Sequence, residues 1–375
     1  MRVPRLTIGL ARRGHSEVGG AEAYLKRLAR GLSESGHAVR LFTDASWPSR
    51  DWSCGPITRL RGETAQRFAD ELERIEPKKQ CDLLLSLERV WKCDVYRAGD
   101  GIHQAWLRRR AAVSRFPRSL LDRFNAKHRE TLALEKALFS GGALRVIANS
   151  QMVKRQAEEY YGYPAERIEV VPNGVPVSDF RPDPEARRLR RNMLGLGGDE
   201  IAVLLVGSGW ERKGVRFAVQ AIKSLGGNFR LLVAGRGRRQ MVRAPFVQWL
   251  GAVRDLPSLY ASADIFLLPT LYDPFSNACL EALAAGLPVI TTRDNGFSEI
   301  IEPGVHGSIV ESATNIPHLC EALRFWSSAE RRLAARPDIL ERASRYDISV
   351  NVAHTLAILN HLPKAEAVSG KIRKT

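Results

Sequence analysis

Cysteine is scarce in this chain. Its five residues, Cys54, Cys81, Cys93, Cys279 and Cys320, are odd in number, scattered and without a Cys-x-x-Cys pair. That argues against a disulfide framework or a zinc site and fits a reducing cytoplasm. Long apolar runs are also missing: nothing approaches the roughly 20 residues that a bilayer-spanning helix needs. The opening MRVPRLTIGLARRGH is interrupted early by Arg12 and Arg13, so it reads as a first strand and not as a signal peptide. Complete nucleotide-loop signatures are absent too. In GSGWERKGV, Gly209 and Gly214 have the spacing that opens a P-loop, but Val215 stands where the lysine belongs and no Ser or Thr follows. Gly207 and Gly209 lack the third glycine of G-x-G-x-x-G. No Asp-x-Asp pair is present to hold a divalent ion. Asp183 and Glu185 come nearest, in a proline-rich stretch where surface charge explains them.

Acidic residues are outnumbered, 41 against 57 Lys and Arg, for a formal charge of +16. Such an excess points to an anionic partner: nucleic acid, an acidic membrane surface or a phosphorylated substrate. Part of it is concentrated between Trp106 and Glu130, in WLRRRAAVSRFPRSLLDRFNAKHRE, where apolar residues are interleaved and Pro117 breaks or kinks any helix. This composition suits an interfacial segment at an anionic membrane, and equally an ordinary solvated helix packed on its apolar stripe.

At 375 residues with 44% hydrophobic content, the chain has room for two domains with proper cores. Strand and helix signals alternate from RLTIGL to RIEVVPNGV, which ends in a Pro-Asn-Gly turn signal. After the linker-like PVSDFRPDPEARRLRRNMLGLGGDE they start again at IAVLLVGSGW. Continuous apolar strands between helices predict parallel sheets covered on both faces. The expected fold class is therefore α/β, with two doubly wound, Rossmann-like domains. Ligands of such sheets bind beyond the carboxyl ends of the strands.

Two post-strand loops carry candidate chemistry. In TLYDPFSNACLEALAAGLPVITT, IFLLPT ends just before Asp273, a helix starts near Asn277, and Glu281 lies about one turn inside it. Helix punctuation would explain two carboxylates there. A ligand explains them as well: the amides around Ser276, Asn277 and Ala278 suit an anion, and carboxylates accept charge-assisted hydrogen bonds from vicinal hydroxyls. A sugar, a phosphate and a ribose fit that geometry. The second loop supplies Arg212 and Lys213 before a helix start, where cations oppose the helix dipole. With those cations in place of an ion, no metal is expected.

In order along the chain, four pieces resemble the retaining family 4 glycosyltransferases of the GT-B fold. They are VGGAEAYLKRLARGLSESGHAVRLFT, ANSQMVKRQAEEYYGYPAERIEVVPNGVPVSDF, GSGWERKG, and ADIFLLPTLYDPFSNACLEALAAGLPVITT, the last resembling an E-x7-E motif with Asp273 in place of its first Glu. The resemblance implies a first, acceptor-side domain over 1–175, a nucleotide-sugar-binding domain over 176–347, and, over 348–375, a helix that crosses back to the first domain together with a basic tail. It implies that Glu281 holds the ribose and Asp273 the transferred sugar. Arg212 and Lys213 would hold the diphosphate, with the amides near Asn277 and the Gly19-Gly20 loop across the cleft. CDVYRAGDGIHQAW with its basic helix is most similar to the lipopolysaccharide core glucosyltransferase I subgroup. That implies that Asp100 faces donor sugar and acceptor hydroxyl, with His103 a competing candidate, and it leaves His15 in the donor-side loop undecided.

The expected partners are a nucleotide-sugar donor, probed as UDP-glucose, and a membrane-borne anionic glycolipid acceptor. The segment 106–130 would dock at the inner face of the cytoplasmic membrane. Base recognition is expected near Gly235, Arg236, Gly237 and Arg254. A transferase using GDP-mannose and a nucleotide-sugar 2-epimerase stay open as alternatives. A nucleic-acid-binding protein is suggested by charge alone, with no recognition-helix module or aromatic platform beside it, so no nucleic-acid partner is expected.

Overall fold

The computed structural model describes residues 5–15, 20–114, 125–237 and 244–362. Strands β1 (Thr7–Ala11), β2 (Ala38–Asp44), β3 (Ile57–Leu60), β4 (Leu83–Ser86), β5 (Cys93–Arg97), β6 (Ala143–Ala148) and β7 (Ile168–Val170) form one sheet, ordered β3-β2-β1-β4-β5-β6-β7. A second sheet, ordered β10-β9-β8-β11-β12-β13, contains β8 (Ile201–Val206), β9 (Phe229–Ala234), β10 (Val247–Gly251), β11 (Ile265–Leu268), β12 (Val289–Thr292) and β13 (Gly307–Val310). Neighbouring strands pair in parallel throughout both sheets. The strands are buried because helices cover both faces. Ala202 to Leu205 and Ile265 to Leu268 are fully enclosed, as their unbroken apolar runs require.

In each sheet the winding reverses once, between β1 and β4 and between β8 and β11. Loops leaving adjacent strands in opposite directions open a crevice there. The GSGWERKG loop follows β8 and the LYDPFSN loop follows β11, so the two loops singled out in the sequence meet over one reversal point.

The helices that matter for the site are α1 (Gly20–Glu34), α2 (His103–Ala112), α3 (Ala126–Ala137), α4 (Gln151–Tyr161), α5 (Pro184–Met193), α6 (Val215–Leu225), α7 (Asn277–Ala284) and α8 (Ile348–Asn360). Helix α5 corrects the reading of its sequence as a linker. Asp183 caps it by accepting from the Glu185 and Ala186 amides, and Pro184 starts it. Arg187 and Arg191, one turn apart, both reach Asp264 in the second domain, at 2.6 and 3.0 Å. Charge and proline, taken as signs of an open linker, are here a helix start and an anchor. Near the hinge the chain passes between domains twice: Val175 donates to Tyr346 O and accepts from Ile348 N. Helix α8 then lies on α1 of the first domain, where Asn351 accepts from Tyr24 Oη at 2.9 Å.

Among the contacts that clasp the domains together, three involve Glu299, Ser150 and Tyr272. Glu299 of the second domain accepts from the Gln151 and Met152 amides, both at 2.7 Å, and so caps α4 of the first. Ser150 Oγ donates to Pro274 O at 2.8 Å. The Tyr272 ring, from the loop after β11, is buried among the apolar residues of the first domain.

Candidate functional site

A cleft of about 950 Å³ lies between the domains. Its walls include Gly20, Asp100 and His103 from the first domain. From the second they include Arg212, Lys213, Asp273, Ser276, Asn277, Ala278 and Glu281. These residues, proposed from sequence, therefore face one cavity; Gly19 lies outside the described residues. Gly235 and Arg254 also line it, near the expected base end, whereas Arg236 and Gly237, named with them for the base, are not among the lining residues.

On the second-domain side the geometry follows from two turns. The loop after β8 is forced tight by Gly214, at φ +71°, where an added Cβ would stand 1.7 Å from Pro269 O. No residue but glycine fits, and the turn aims Lys213 back toward the loop after β11. Lys213 Nζ donates to Asp273 Oδ2 at 2.5 Å, and Arg212 Nη1 lies 3.4 Å from the same oxygen. Asp273 is only 4% exposed. Burial alone would raise its pKa, but the Lys213 and Arg212 charges outweigh burial and hold it below the ordinary aspartate value. Cations before a helix start, unfavourable with respect to the dipole, are thus compensated by a buried carboxylate. The cations predicted to hold a diphosphate and the carboxylate predicted to hold a sugar form one ion-paired unit.

Helix α7 begins at Asn277, as expected, but its cap is Ser276, whose Oγ accepts from Cys279 N. The Ser276 amide donates to Asn295 Oδ1 at 3.3 Å. The Ser276 amide is thus engaged within the protein, while its residue still lines the cleft. The amides of Asn277 and Ala278, first-turn groups with no intrahelical acceptor, remain for an anion. A helix capped by Ser276 also needs no carboxylate as punctuation, which weakens that explanation of Asp273 and Glu281. Glu281, 7% exposed, sits in the second turn. It accepts from Tyr260 Oη at 3.0 Å, and Arg27 Nη1 of α1 lies 3.8 Å away across the cleft. Burial raises the Glu281 pKa against the opposing pull of Arg27 and the Tyr260 hydroxyl.

Sequence reasoning did not find Tyr260 or Arg27 as partners of Glu281. A partner of this kind carries no local pattern. On the ribose-holding role that the resemblance implies for Glu281, Tyr260→Phe, which removes one neutral donor and keeps the ring, is expected to weaken nucleotide-sugar binding about fivefold, the equivalent of one ordinary hydrogen bond. A calorimetric titration of the variant measures it.

The Pro-Asn-Gly turn does more than reverse the chain. Asn173 Nδ2 donates to Asn277 Oδ1 at 2.7 Å and to Phe275 O at 3.2 Å, while Asn173 Oδ1 accepts from the buried Arg97 at 2.7 Å. Asn277 Nδ2 in turn donates to Gly20 O at 3.4 Å. The first turns of α1 and α7 are held face to face by these two asparagines.

On the first-domain side Asp100 presents a side chain 46% exposed to the cleft and accepts from Arg12 Nη1 at 3.0 Å. Desolvation acts to raise its pKa, and Arg12 and Arg89 more than reverse this, so it stays ionised. Arg12 also lies 3.7 Å from Glu22 and 3.9 Å from Glu88. His103 opens α2 with Nε2 3.0 Å from His128 Nδ1. Burial, followed by the charges of Arg89 and other nearby cations, pushes its pKa down to about 3, so the ring is neutral across the physiological range. The start of α2 is fixed by Glu135, fully buried, which accepts from the His103 and Gln104 amides, Tyr161 Oη and Arg89 Nε. His15 is not among the cleft-lining residues; its Nε2 is 3.1 Å from Asp51 and its ring contacts Trp47.

The basic segment 106–130 flanks this half of the cleft through Trp106, Lys127 and His128. Residues 115–124 of it lie outside the described part. Arg109 reaches Asp294 of the second domain at 2.9 Å, and Arg108 stacks on Tyr160 at 4.6 Å. Arg108 and Arg109, which composition offered to a membrane, are here engaged with the protein. Among the described residues no helix is long and apolar enough to cross a membrane.

Comparison with known proteins agrees with this architecture. Residues 200–326 match the family described as glycosyl transferases group 1, and residues 18–179 match glycosyltransferase family 4. Lipopolysaccharide glucosyltransferase WaaG of Escherichia coli K12 is 26% identical over 333 residues, covering 82% of this chain and 85% of that protein. A crystal structure of WaaG superposes with a TM-score of 0.79 at 22% identity, covering 94% and 99% of the two chains. The D-inositol 3-phosphate glycosyltransferase of Paenarthrobacter aurescens TC1 is equally similar, 26% identical over 348 residues, with coverage of 80% and 82%. Alr3699/HepE of Anabaena, solved in complex with UDP-glucose, superposes with a TM-score of 0.72 at 18% identity, with coverage of 94% and 100%. The chain belongs to the family 4 glycosyltransferases and has their two-domain GT-B fold.

Proposed function

We propose that this protein moves a hexose, glucose from UDP-glucose, onto the core oligosaccharide of a lipopolysaccharide or a related cell-envelope glycan, retaining the anomeric configuration. The observation that carries this reading is the Lys213–Asp273–Arg212 unit, set between Glu281 and the α7 amides on one side and Asp100 across the cleft. The similarity to WaaG over most of both chains favours the acceptor class. Equal identity to inositol phosphate glycosyltransferases makes the acceptor the part most in need of test.

In this reading Glu281 accepts from the ribose hydroxyls and Asp273 from hydroxyls of the glucose. Arg212, Lys213 and the Asn277 and Ala278 amides hold the diphosphate. The bond from the anomeric carbon to the β-phosphate oxygen breaks, and the electron pair leaves with UDP. These cations and amides stabilise the growing charge, the kind of preorganised contribution that dominates many enzymes. The acceptor oxygen attacks from the same face, and its proton passes to the departing phosphate. Asp100, held ionised by Arg12, orients the acceptor hydroxyl. Lys213 and Arg212 supply the positive charge that a metal supplies elsewhere, so the reaction proceeds without one. Basic residues of 106–130 approach the anionic membrane from the cytoplasmic side.

The test is incubation with UDP-glucose and lipopolysaccharide truncated at its inner core, in the presence of a chelator. Mass spectrometry should find one added hexose, and the new linkage should keep the donor's α configuration. Transfer from GDP-mannose instead would keep the family and replace the donor. Conversion of donor alone into a 2-epimer would replace the reaction.

A further inference from the structure

We infer that the Tyr272 hydroxyl is a positioning group that couples the donor half of the cleft to the acceptor half. The inference deepens the proposed reading and rests on it. Tyr272 immediately precedes Asp273 in the loop after β11, yet its ring is 2% exposed and packs among first-domain residues. Its hydroxyl donates to Gln156 Oε1 of α4 at 2.9 Å and accepts from Ile102 N at 2.8 Å. Ile102 is the residue from which α2 starts and stands two positions after Asp100.

The approach is close enough to dictate sequence on the other domain. Gly101 has φ +67°, and a Cβ there would meet Tyr272 Oη at 2.4 Å and Pro274 Cβ at 2.9 Å. The backbone of Tyr272 faces the opposite way in its contacts. Its carbonyl accepts from Arg212 Nη1 at 3.1 Å and from Thr270 Oγ1 at 3.1 Å. One residue thus holds the proposed diphosphate cation by its main chain and the Asp100 loop by its side chain.

A bond of this kind has two partners that cannot turn to water. Ile102 is fully enclosed and Gln156 nearly so, and a buried amide that loses its acceptor must move or stay unpaired. Tyr272→Phe keeps the plug and removes only the link. The Gly99–Ile102 loop then no longer takes its position from the donor loop, so Asp100 loses its register against Asp273. A misplacement of that order is felt in the chemical step more than in donor binding.

The experiment is hydrogen exchange of the full chain, alone and with UDP or with GDP, in the wild type, Tyr272→Phe and Gln156→Met. In the wild type one nucleotide should slow exchange both at 276–281 and at 99–112. In Tyr272→Phe it should still slow 276–281, with affinity changed by less than about twofold, while 99–112 no longer responds. Gln156→Met, which leaves the Ile102 bond, should retain part of the response. With UDP-glucose as donor, Tyr272→Phe should lower kcat about tenfold at unchanged donor KM. Slowing at 99–112 in Tyr272→Phe equal to the wild type would overturn the inference, as would a wild type protected at 276–281 but not at 99–112. Failure of both nucleotides to protect 276–281 in the wild type would remove the donor-site reading itself, and this inference with it.

Discussion

Lys213→Ala is expected to lower the transfer rate by about two to three orders of magnitude, the usual loss when one preorganised charge-stabilising group is removed. Two effects combine. In the proposed reaction the departing diphosphate loses one of its two cations; Lys213 is buried in the cleft wall with its ammonium 2.5 Å from Asp273. Asp273 is then left buried with Arg212 alone, at 3.4 Å, and a carboxylate losing a close cation has its pKa raised. The variant should therefore show a kcat defect larger than its change in donor KM, separated by initial-rate kinetics.

The pH dependence of stability gives a second reading of the same variant. In the wild type the folded pKa of Asp273 lies below its unfolded value. Its contribution to stability is therefore present above the ordinary aspartate pKa of about 3.9 and is lost as pH falls through the lower folded value. Without Lys213 much of that contribution disappears, so acid unfolding should begin at higher pH. Thermal melts between neutral pH and about pH 3 would follow it.

Glu281→Ala is expected to weaken nucleotide-sugar binding about a hundredfold. A carboxylate accepting two vicinal hydroxyls makes two charge-assisted bonds of roughly 1.5–3 kcal/mol each, part of which water recovers in the variant. Burial keeps the Glu281 pKa above that of an ordinary glutamate. Donor binding by the wild type should accordingly weaken as pH falls, and sooner than an exposed glutamate would allow. Glu281→Gln should lose most of that pH dependence while retaining the side-chain volume. Titration of each variant across pH measures both effects.

The parts of the site legible in sequence were those whose meaning is local. A carboxylate after an apolar strand, a glycine turn followed by two cations and a helix start are all written within a few residues. Two alternating strand–helix series were enough for two parallel sheets. What the sequence did not reveal is pairing at a distance. Glu135 caps α2 from more than 30 positions away, and Glu299 caps α4 from across the domain boundary. Neither leaves a trace in periodicity. The stretch read as a linker became α5 because an Asp-Pro start and arginines one turn apart can also mark a helix docked on an acidic partner, and Asp264 was not visible as that partner. His103 stood as a competing acceptor-side candidate because the burial that keeps its ring neutral, and the Arg89 charge that adds to it, are set by the tertiary fold.

The most direct test of the account is calorimetric titration of the wild-type protein with UDP-glucose and with GDP-mannose in chelator. Saturable one-site binding of UDP-glucose, absent or far weaker for GDP-mannose, is the predicted result. If neither nucleotide sugar bound, the Lys213–Asp273 pair and Glu281 would be parts of the scaffold, and the claim of a metal-independent donor site between the two domains would be contradicted.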